Sequence, residues 1–72
     1  MTFGWAIVGT GEVARRFAVS LRYVPHAKLT RVASRTHANA CRFAERFGGR
    51  PVEDLEALLQ CNDVDIVYIA TP

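Results

Sequence analysis

The sequence has few cysteines and no long hydrophobic run, and each shortage excludes a class of protein. Its 72 residues include two cysteines, Cys41 and Cys61, which are too few for a disulfide scaffold and too far apart for a typical zinc site. No hydrophobic run approaches the roughly 20 residues that a transmembrane helix needs. The first residues carry no basic stretch before the hydrophobic one, unlike a secretion signal. We therefore expect free, at least half-buried thiols in a cytoplasmic protein, with no metal site and no membrane contact.

Acidic residues are missing from the middle of the chain. Between Val13 and Arg42 there is no Asp or Glu, although the net charge of the whole chain is only +2. The basic residues of this stretch are Arg15, Arg16, Arg22, Lys28, Arg31, Arg35 and Arg42. Such a region favours a ligand that carries phosphate, either a nucleotide or a nucleic acid. For Arg15, Arg16 and Arg22 a solvated helix face is the simpler interpretation.

Hydrophobic periodicity predicts strands that alternate with helices. Half of the residues are hydrophobic, which excludes a disordered chain. The pattern predicts strands at residues 3–8, 28–34, 50–52 and 64–70 and helices at residues 11–24, 37–47 and 54–60. The first and last strands are continuous hydrophobic runs, as in strands buried on both faces of a parallel sheet. The order β-α-β-α-β-α-β therefore predicts an α/β fold with a doubly wound parallel sheet and right-handed crossovers.

The first predicted helix is amphipathic and stops at Pro25. Its hydrophobic positions, which we expect to face the sheet, are Val13, Phe17, Leu21 and Val24, with Ala14 and Ala18 beside them. The second helix has Thr36 as its expected N-cap, and Gly48-Gly49 ends it. The chain itself stops directly after a hydrophobic strand, where an open sheet would expose an edge, so we expect residues 1–72 to be the front part of a longer protein.

A glycine-rich loop joins the first strand to the first helix. It reads Gly9-Thr10-Gly11-Glu12-Val13-Ala14, a G-x-G-x-x-A pattern that follows a buried strand and opens a helix. In this pattern Gly9 permits the tight turn, Gly11 lets a pyrophosphate approach the backbone, and Ala14 allows close packing of helix on sheet. The helix N-terminus then offers free N–H groups to phosphate. The loop therefore predicts a dinucleotide site that includes Thr10, Glu12 and Val13.

The tip of the second strand predicts which dinucleotide is bound. An acid at this point would bind the ribose hydroxyls of NAD, but the sequence has Ser34, Arg35 and Thr36 here and no carboxylate nearby. A hydroxyl beside a guanidinium suits a 2′-phosphate, because arginine forms charge-assisted bidentate hydrogen bonds. We therefore favour NADP over NAD. If Arg35 only stacks on the adenine ring, either cofactor would fit.

The end of the fourth strand is the third candidate region. In an open α/β sheet, ligands lie beyond the carboxyl ends of the strands where the strand order reverses. Thr71 and Pro72 follow this strand, so we expect them to approach the nicotinamide half of the cofactor.

Three segments together resemble one known family. Gly9-Thr10-Gly11-Glu12-Val13-Ala14, Val32-Ala33-Ser34-Arg35-Thr36 and residues 63–72 (DVDIVYIATP) are similar to the N-terminal segment of the Gfo/Idh/MocA oxidoreductases. The resemblance covers the whole chain. It implies a Rossmann domain that binds NAD(P), followed in full-length members by a substrate domain built on an open antiparallel sheet. It also implies that a cofactor is lined by Gly9, Gly11, Glu12, Val13, Ser34, Arg35, Thr71 and Pro72.

The resemblance further implies an enzyme that moves hydride between the cofactor and a hydroxyl or carbonyl of a sugar, an inositol or a related small molecule. The family's catalytic residues would lie beyond Pro72, so no residue of this chain is expected to be catalytic. We also expect the full-length protein to be a homo-oligomer. One alternative is a non-catalytic Rossmann subunit that senses a nucleotide or binds a partner. Nucleic-acid binding is disfavoured, because the basic residues lie on the helix that follows the phosphate loop and no aromatic residues are interleaved with them.

Overall fold

The computed structural model describes residues 1–71, in which strands and helices alternate throughout. The strands are β1 (Phe3–Val8), β2 (Ala27–Ala33), β3 (Arg50–Val52) and β4 (Ile66–Ile69), and the helices are α1 (Glu12–Leu21), α2 (His37–Phe47) and α3 (Leu55–Leu59). The order along the chain is the predicted one, and the α/β architecture is confirmed. Pro72, which we predicted to lie near the cofactor, is outside the described residues.

The four strands form one parallel sheet in the order β3-β2-β1-β4. The chain moves outward from β1 to β2 and β3, and then returns to place β4 on the other side of β1. The helices α1 and α2 pack on one face of the sheet and α3 on the other, which is the arrangement that right-handed crossovers in the two directions produce. The strand order thus reverses between β1 and β4.

Adjacent residues of each inner strand supply the cores on the two faces, because successive side chains of a strand point to opposite sides. Ile7 and Val32 pack toward α1 and α2, whereas Ala6 and Ala33 pack toward Leu58 of α3. All five are almost completely buried. Complete burial of an Ile, Val or Leu side chain contributes about 1.5–3 kcal/mol each.

The buried face of α1 differs from the prediction. The helix ends at Leu21, and tight i→i−3 hydrogen bonds continue to Val24, because a residue that precedes proline disfavours the helical conformation. The side chains of Val13 and Val24 are 55% and 48% exposed. Leu21 is buried and Phe17 is half-buried, as predicted. Ala14 and Ala18 beside them are buried, because a helix that lies close to a sheet can bury only small side chains at the point of closest approach.

The strand β4 is less buried and shorter than predicted. Its side chains Ile66 and Ile69 are 37% and 61% exposed, because β4 pairs only with β1 in the described residues and forms one edge of the sheet. The bounds of β2 and α3 also shift by one residue, so that Ser34 follows β2 and Asp54 caps α3 by accepting a hydrogen bond from the Ala57 N–H.

Candidate functional site

A cleft of about 550 Å³ lies at the point where the strand order reverses. It is bounded by the carboxyl ends of β1, β2 and β4 and by the N-terminus of α1. The residues that line it are Gly9, Thr10, Gly11, Glu12, Val13, Ser34, Arg35, Tyr68, Ile69, Ala70 and Thr71. This is the position at which open α/β sheets bind their ligands.

Gly9 forms the turn by which the chain leaves β1. Its φ of +113° lies in a region that side chains rarely adopt, and a Cβ atom here would lie 3.2 Å from the backbone carbon and oxygen of Ala70. Its N–H donates to the carbonyl oxygen of Ala33 at 2.8 Å. Glycine is therefore needed at this position both for the turn and for the close approach of β4.

Gly11 is different, because nothing in the chain itself requires glycine here. It is the N-cap of α1 with an ordinary extended backbone (φ −80°), and a Cβ atom would meet no atom within 4 Å. No side chain caps this end of α1, so the first N–H groups of the helix are left for another acceptor. The open space and the uncapped amides together leave room for an anion at the backbone.

The first turn of α1 places one residue between the helix and the sheet and two residues at the cleft. Ala14 is completely buried against the sheet, whereas Glu12 and Val13 are exposed and line the cleft. The Glu12 carboxylate forms an exposed ion pair with Arg16, at 3.4 Å between Oε1 and Nε. This pair offsets part of the negative charge that Glu12 brings to the mouth of the cleft.

The tip of β2 is joined to the glycine loop by a hydroxyl–hydroxyl hydrogen bond. The Oγ1 atom of Thr10 lies 3.2 Å from Oγ of Ser34. A serine hydroxyl carries one hydrogen and can accept two hydrogen bonds, so Ser34 keeps hydrogen-bonding capacity toward a ligand. Arg35 is exposed at the rim, with its guanidinium accessible.

Thr36 is the one predicted site residue of this segment that does not line the cleft. It is the N-cap of α2, as predicted, but its side chain makes no capping bond. Its backbone oxygen accepts from the N–H groups of Asn39 and Ala40. Its role in cofactor binding stays a prediction.

The end of β4 contributes more residues than the sequence analysis assigned. Thr71 lines the cleft together with Tyr68, Ile69 and Ala70, and its contact with a cofactor stays a prediction. The Tyr68 ring stacks on Phe17 of α1, with ring centroids 3.9 Å apart and planes 8° from parallel. The hydrophobic character of Tyr68, Ile69 and Ala70 suggested that they are core residues. The signal for a site was their position at the end of a strand where the sheet order reverses.

Outside the cleft, the structure describes the two cysteines, the groups that could bind metal and the character of the helices. Cys41 and Cys61 are free thiols and half-buried, as predicted. Within residues 1–71 no group of three or more His, Cys, Asp or Glu side chains is arranged to hold a metal ion. None of the helices in this part of the chain has the length and hydrophobicity required to cross a membrane.

Comparison with known proteins gives matches over nearly the whole chain. A family model described as an oxidoreductase family with an NAD-binding Rossmann fold matches residues 3–72. A dTDP-3,4-didehydro-2,6-dideoxy-alpha-D-glucose 3-reductase from Actinomadura kijaniata is 45% identical over 67 residues, which cover 92% of this chain and 20% of that protein. The chain thus spans about a fifth of the length of this curated relative.

Two solved structures are similar in fold and sequence. A 3-ketoreductase from Actinomadura kijaniata, in complex with NADP and TDP-benzene, superposes with a TM-score of 0.93 at 40% identity, over all of this chain and 22% of that one. A protein of gentamicin A biosynthesis, in complex with NAD, gives a TM-score of 0.90 at 32% identity, over 99% of this chain and 20% of that one. The two neighbours therefore share this fold but carry different dinucleotides.

Proposed function

The chain belongs to the Gfo/Idh/MocA family of oxidoreductases, and on that premise we propose that it binds NADP as the first part of a Rossmann domain in an enzyme that reduces or oxidises a sugar. The observation that carries this proposal is the cleft beside β1 and β4. Uncapped amides of α1 lie on one side of it, and Ser34 with Arg35 lies on the other. One side suits a pyrophosphate and the other suits a 2′-phosphate.

The pyrophosphate would lie against Gly11 and the first N–H groups of α1. The open space above Gly11 fits this group, because a side chain there would occupy the approach to the backbone. The helix N-terminus carries about half a positive charge, which favours phosphate. Gly9, Thr10 and Val13 would shape the turn and the wall around it. NADP(H) supplies the transferable hydride when it is bound, and the residues of this chain bind and orient it.

The 2′-phosphate would accept hydrogen bonds from Ser34 and Arg35. If Thr10 donates to Ser34, the Ser34 hydroxyl is free to donate to the phosphate. A charge-assisted hydrogen bond of this kind contributes about 1.5–3 kcal/mol, or about 10- to 150-fold in affinity. NAD is the alternative cofactor, and the gentamicin neighbour in complex with NAD is the reason to test it.

The relatives support a substrate class. The 3-reductase from Actinomadura kijaniata is named for a dideoxy-glucose derivative, and the neighbouring structure is named as a 3-ketoreductase. We propose that the full-length parent transfers hydride to or from a carbonyl or hydroxyl of a sugar or a similar small molecule. Residues 1–72 would be the N-terminal part of its Rossmann domain, with the catalytic residues and the substrate domain beyond. The cytoplasmic location, which two free thiols support, and the homo-oligomeric state belong to the same proposal.

The test is a calorimetric titration of the chain with 2′,5′-ADP and with 5′-AMP, after circular dichroism has verified its fold. We expect tighter binding of 2′,5′-ADP, and we expect Ser34→Asp combined with Arg35→Ala to remove the preference. Arg50→Ala, which removes one exposed charge outside the cleft, is the control and should keep the preference. Equal binding of the two nucleotides by the unchanged chain would contradict the NADP assignment. Binding of neither would contradict the nucleotide site.

A further inference from the structure

A second concave surface adjoins the cleft on the face of the sheet that carries α1 and α2. It is a groove of about 350 Å³ between α1 and α2, and it contains Thr10, Asn39, Phe43 and three arginines, Arg15, Arg42 and Arg46. Thr10 lines both the groove and the cleft. We propose that the groove continues the nucleotide site, and that Arg15 and Arg42 join Ser34 and Arg35 in binding the 2′-phosphate, as further specificity-determining residues. This inference rests on the proposed function.

The arginines in and around the groove differ in how their guanidinium groups are already engaged. The guanidinium of Arg46 lies 5.4 Å from the centre of the Phe47 ring. Outside the groove, Arg22 donates to the Arg46 backbone carbonyl oxygen at 3.2 Å, and Arg16 pairs with Glu12. In contrast, neither Arg15 nor Arg42 has an acidic side chain within ion-pair distance in residues 1–71.

Two cations that share one concave surface without a counter-ion repel each other, and an anion between them would offset that repulsion. Arg42 donates to the side-chain oxygen of Asn39, which lies one turn earlier in α2. This contact uses only part of the guanidinium, which has five N–H donors. The remaining N–H groups can donate to phosphate oxygens in the bidentate geometry that arginine provides.

The link to the cleft is the hydrogen bond between Thr10 and Ser34 at 3.2 Å. A phosphate that binds the Ser34 hydroxyl therefore lies next to the residue shared by the cleft and the groove. Phe43, which also lines the groove, is almost completely buried, whereas the three arginines are exposed. On this inference, Arg15 and Arg42 of the basic stretch bind phosphate and are more than part of a solvated helix face.

The test compares affinities for 2′,5′-ADP, 5′-AMP and inorganic phosphate across three variants of the chain. We expect Arg42→Gln and Arg15→Gln each to lower the preference for 2′,5′-ADP over 5′-AMP by about 3- to 10-fold, since exposure weakens the contacts. Binding of 5′-AMP should be unchanged. Arg16→Gln, one position further along α1 and outside the groove, should leave the preference as it is.

The outcomes distinguish a failure of this inference from a failure of the proposed NADP site. If the unchanged chain prefers 2′,5′-ADP but neither variant alters the preference, the role of the groove is wrong and the NADP site stands. If the variants weaken both nucleotides and inorganic phosphate by one factor, the arginines act only as a diffuse positive field, and the inference is again wrong. If the unchanged chain has no preference, the NADP assignment itself fails. Should a glutamine variant not fold, Arg42→Lys keeps the charge, loses the bidentate geometry and should still reduce the preference.

Discussion

At the amino-terminal end of the sheet, where β4 begins, side chains of one chain segment form hydrogen bonds and an ion pair with the backbone and side chains of another segment. The Asp65 carboxylate accepts a hydrogen bond from the Gly4 N–H at 2.7 Å, and the Asp65 N–H donates to the Gly4 carbonyl oxygen at the same distance. The Thr30 hydroxyl donates to the carbonyl oxygens of Trp5 and Asp63. Arg31 and Asp63 complete the cluster, with 3.0 Å between Nε and Oδ1.

At the carboxyl ends of the same strands the polar groups have few such partners. One hydroxyl pair, Thr10 with Ser34, joins two segments there, the N-terminus of α1 has no side-chain cap, and Arg35 is exposed. Polar groups that satisfy one another stabilise a fold, whereas groups left open can satisfy a ligand. The comparison indicates that one end of this sheet serves stability and the other end serves binding. Substitutions at the two ends should therefore affect different measurements.

The largest effect is expected for Gly4→Ala at the amino-terminal end. Gly4 is buried, and a Cβ atom there would overlap the carbonyl oxygen of Asp63 and lie 3.2 Å from the Thr30 methyl group. The overlap is with backbone, in a segment that the two hydrogen bonds between Gly4 and Asp65 hold close, so no flexible side chain can move aside. We expect a loss of about 3 kcal/mol or more in the free energy of unfolding, measured by urea denaturation. A loss below about 1 kcal/mol would show that this end of the sheet tolerates displacement, contrary to the comparison.

Gly11→Ala, at the opposite end, should alter binding and leave stability nearly unchanged. The added methyl group meets no protein atom within 4 Å, and the backbone conformation suits alanine. Alanine is a weaker N-cap than glycine but restricts the unfolded chain, so the net change in unfolding free energy should stay within about 1 kcal/mol. The methyl group lies where the pyrophosphate would approach, and we expect about a tenfold or larger loss in affinity for 2′,5′-ADP. Calorimetry and urea denaturation of the same sample measure both quantities, and unchanged affinity would contradict the placement of the phosphate.

The sequence predicts the elements of this fold well, because their signals are local. Residues 3–8 are one continuous hydrophobic run, and the glycine loop follows at once, so the first strand, the turn and the helix start are fixed by neighbouring residues. The alternation of strands and helices predicts a parallel sheet with the candidate residues at the carboxyl ends of its strands, but the point where the strand order reverses is given only by the pairing of β4 with β1.

The features that sequence analysis missed depend on distances between segments. Periodicity indicates the hydrophobic face of α1 but not how far the sheet covers each end of it, so Val13 and Val24 were predicted to face the sheet although both are exposed. Tyr68 lies in a hydrophobic run, and only the packing of β4 beside α1 shows that it lines the cleft. The groove requires α1 and α2 to lie side by side, which places Arg15 near Arg42.

The smallest effect on stability is expected for Asp63→Asn, and it is measured as a change in how stability depends on pH. The hydrogen bond from Arg31 lowers the pKa of Asp63, and the charge of the guanidinium adds to this effect. The folded state therefore holds the Asp63 proton less tightly than the unfolded state does, so the contribution to stability is complete above the unfolded pKa of about 4 and is lost as the pH falls through the lower folded value. Asp63→Asn should lower the urea midpoint slightly at pH 7 and reduce the decline in stability below about pH 4.

Glu45→Gln is the matched control for Asp63→Asn, because it removes one exposed carboxylate that makes no hydrogen bond or ion pair within residues 1–71. The control should keep both the midpoint and the acid decline of the unchanged chain. Neither variant should change the affinity for 2′,5′-ADP, since neither residue lines the cleft or the groove. If Asp63→Asn weakened nucleotide binding in a chain that is still fully folded, the two ends of the sheet would be coupled, and the division between a stabilising end and a binding end would be wrong.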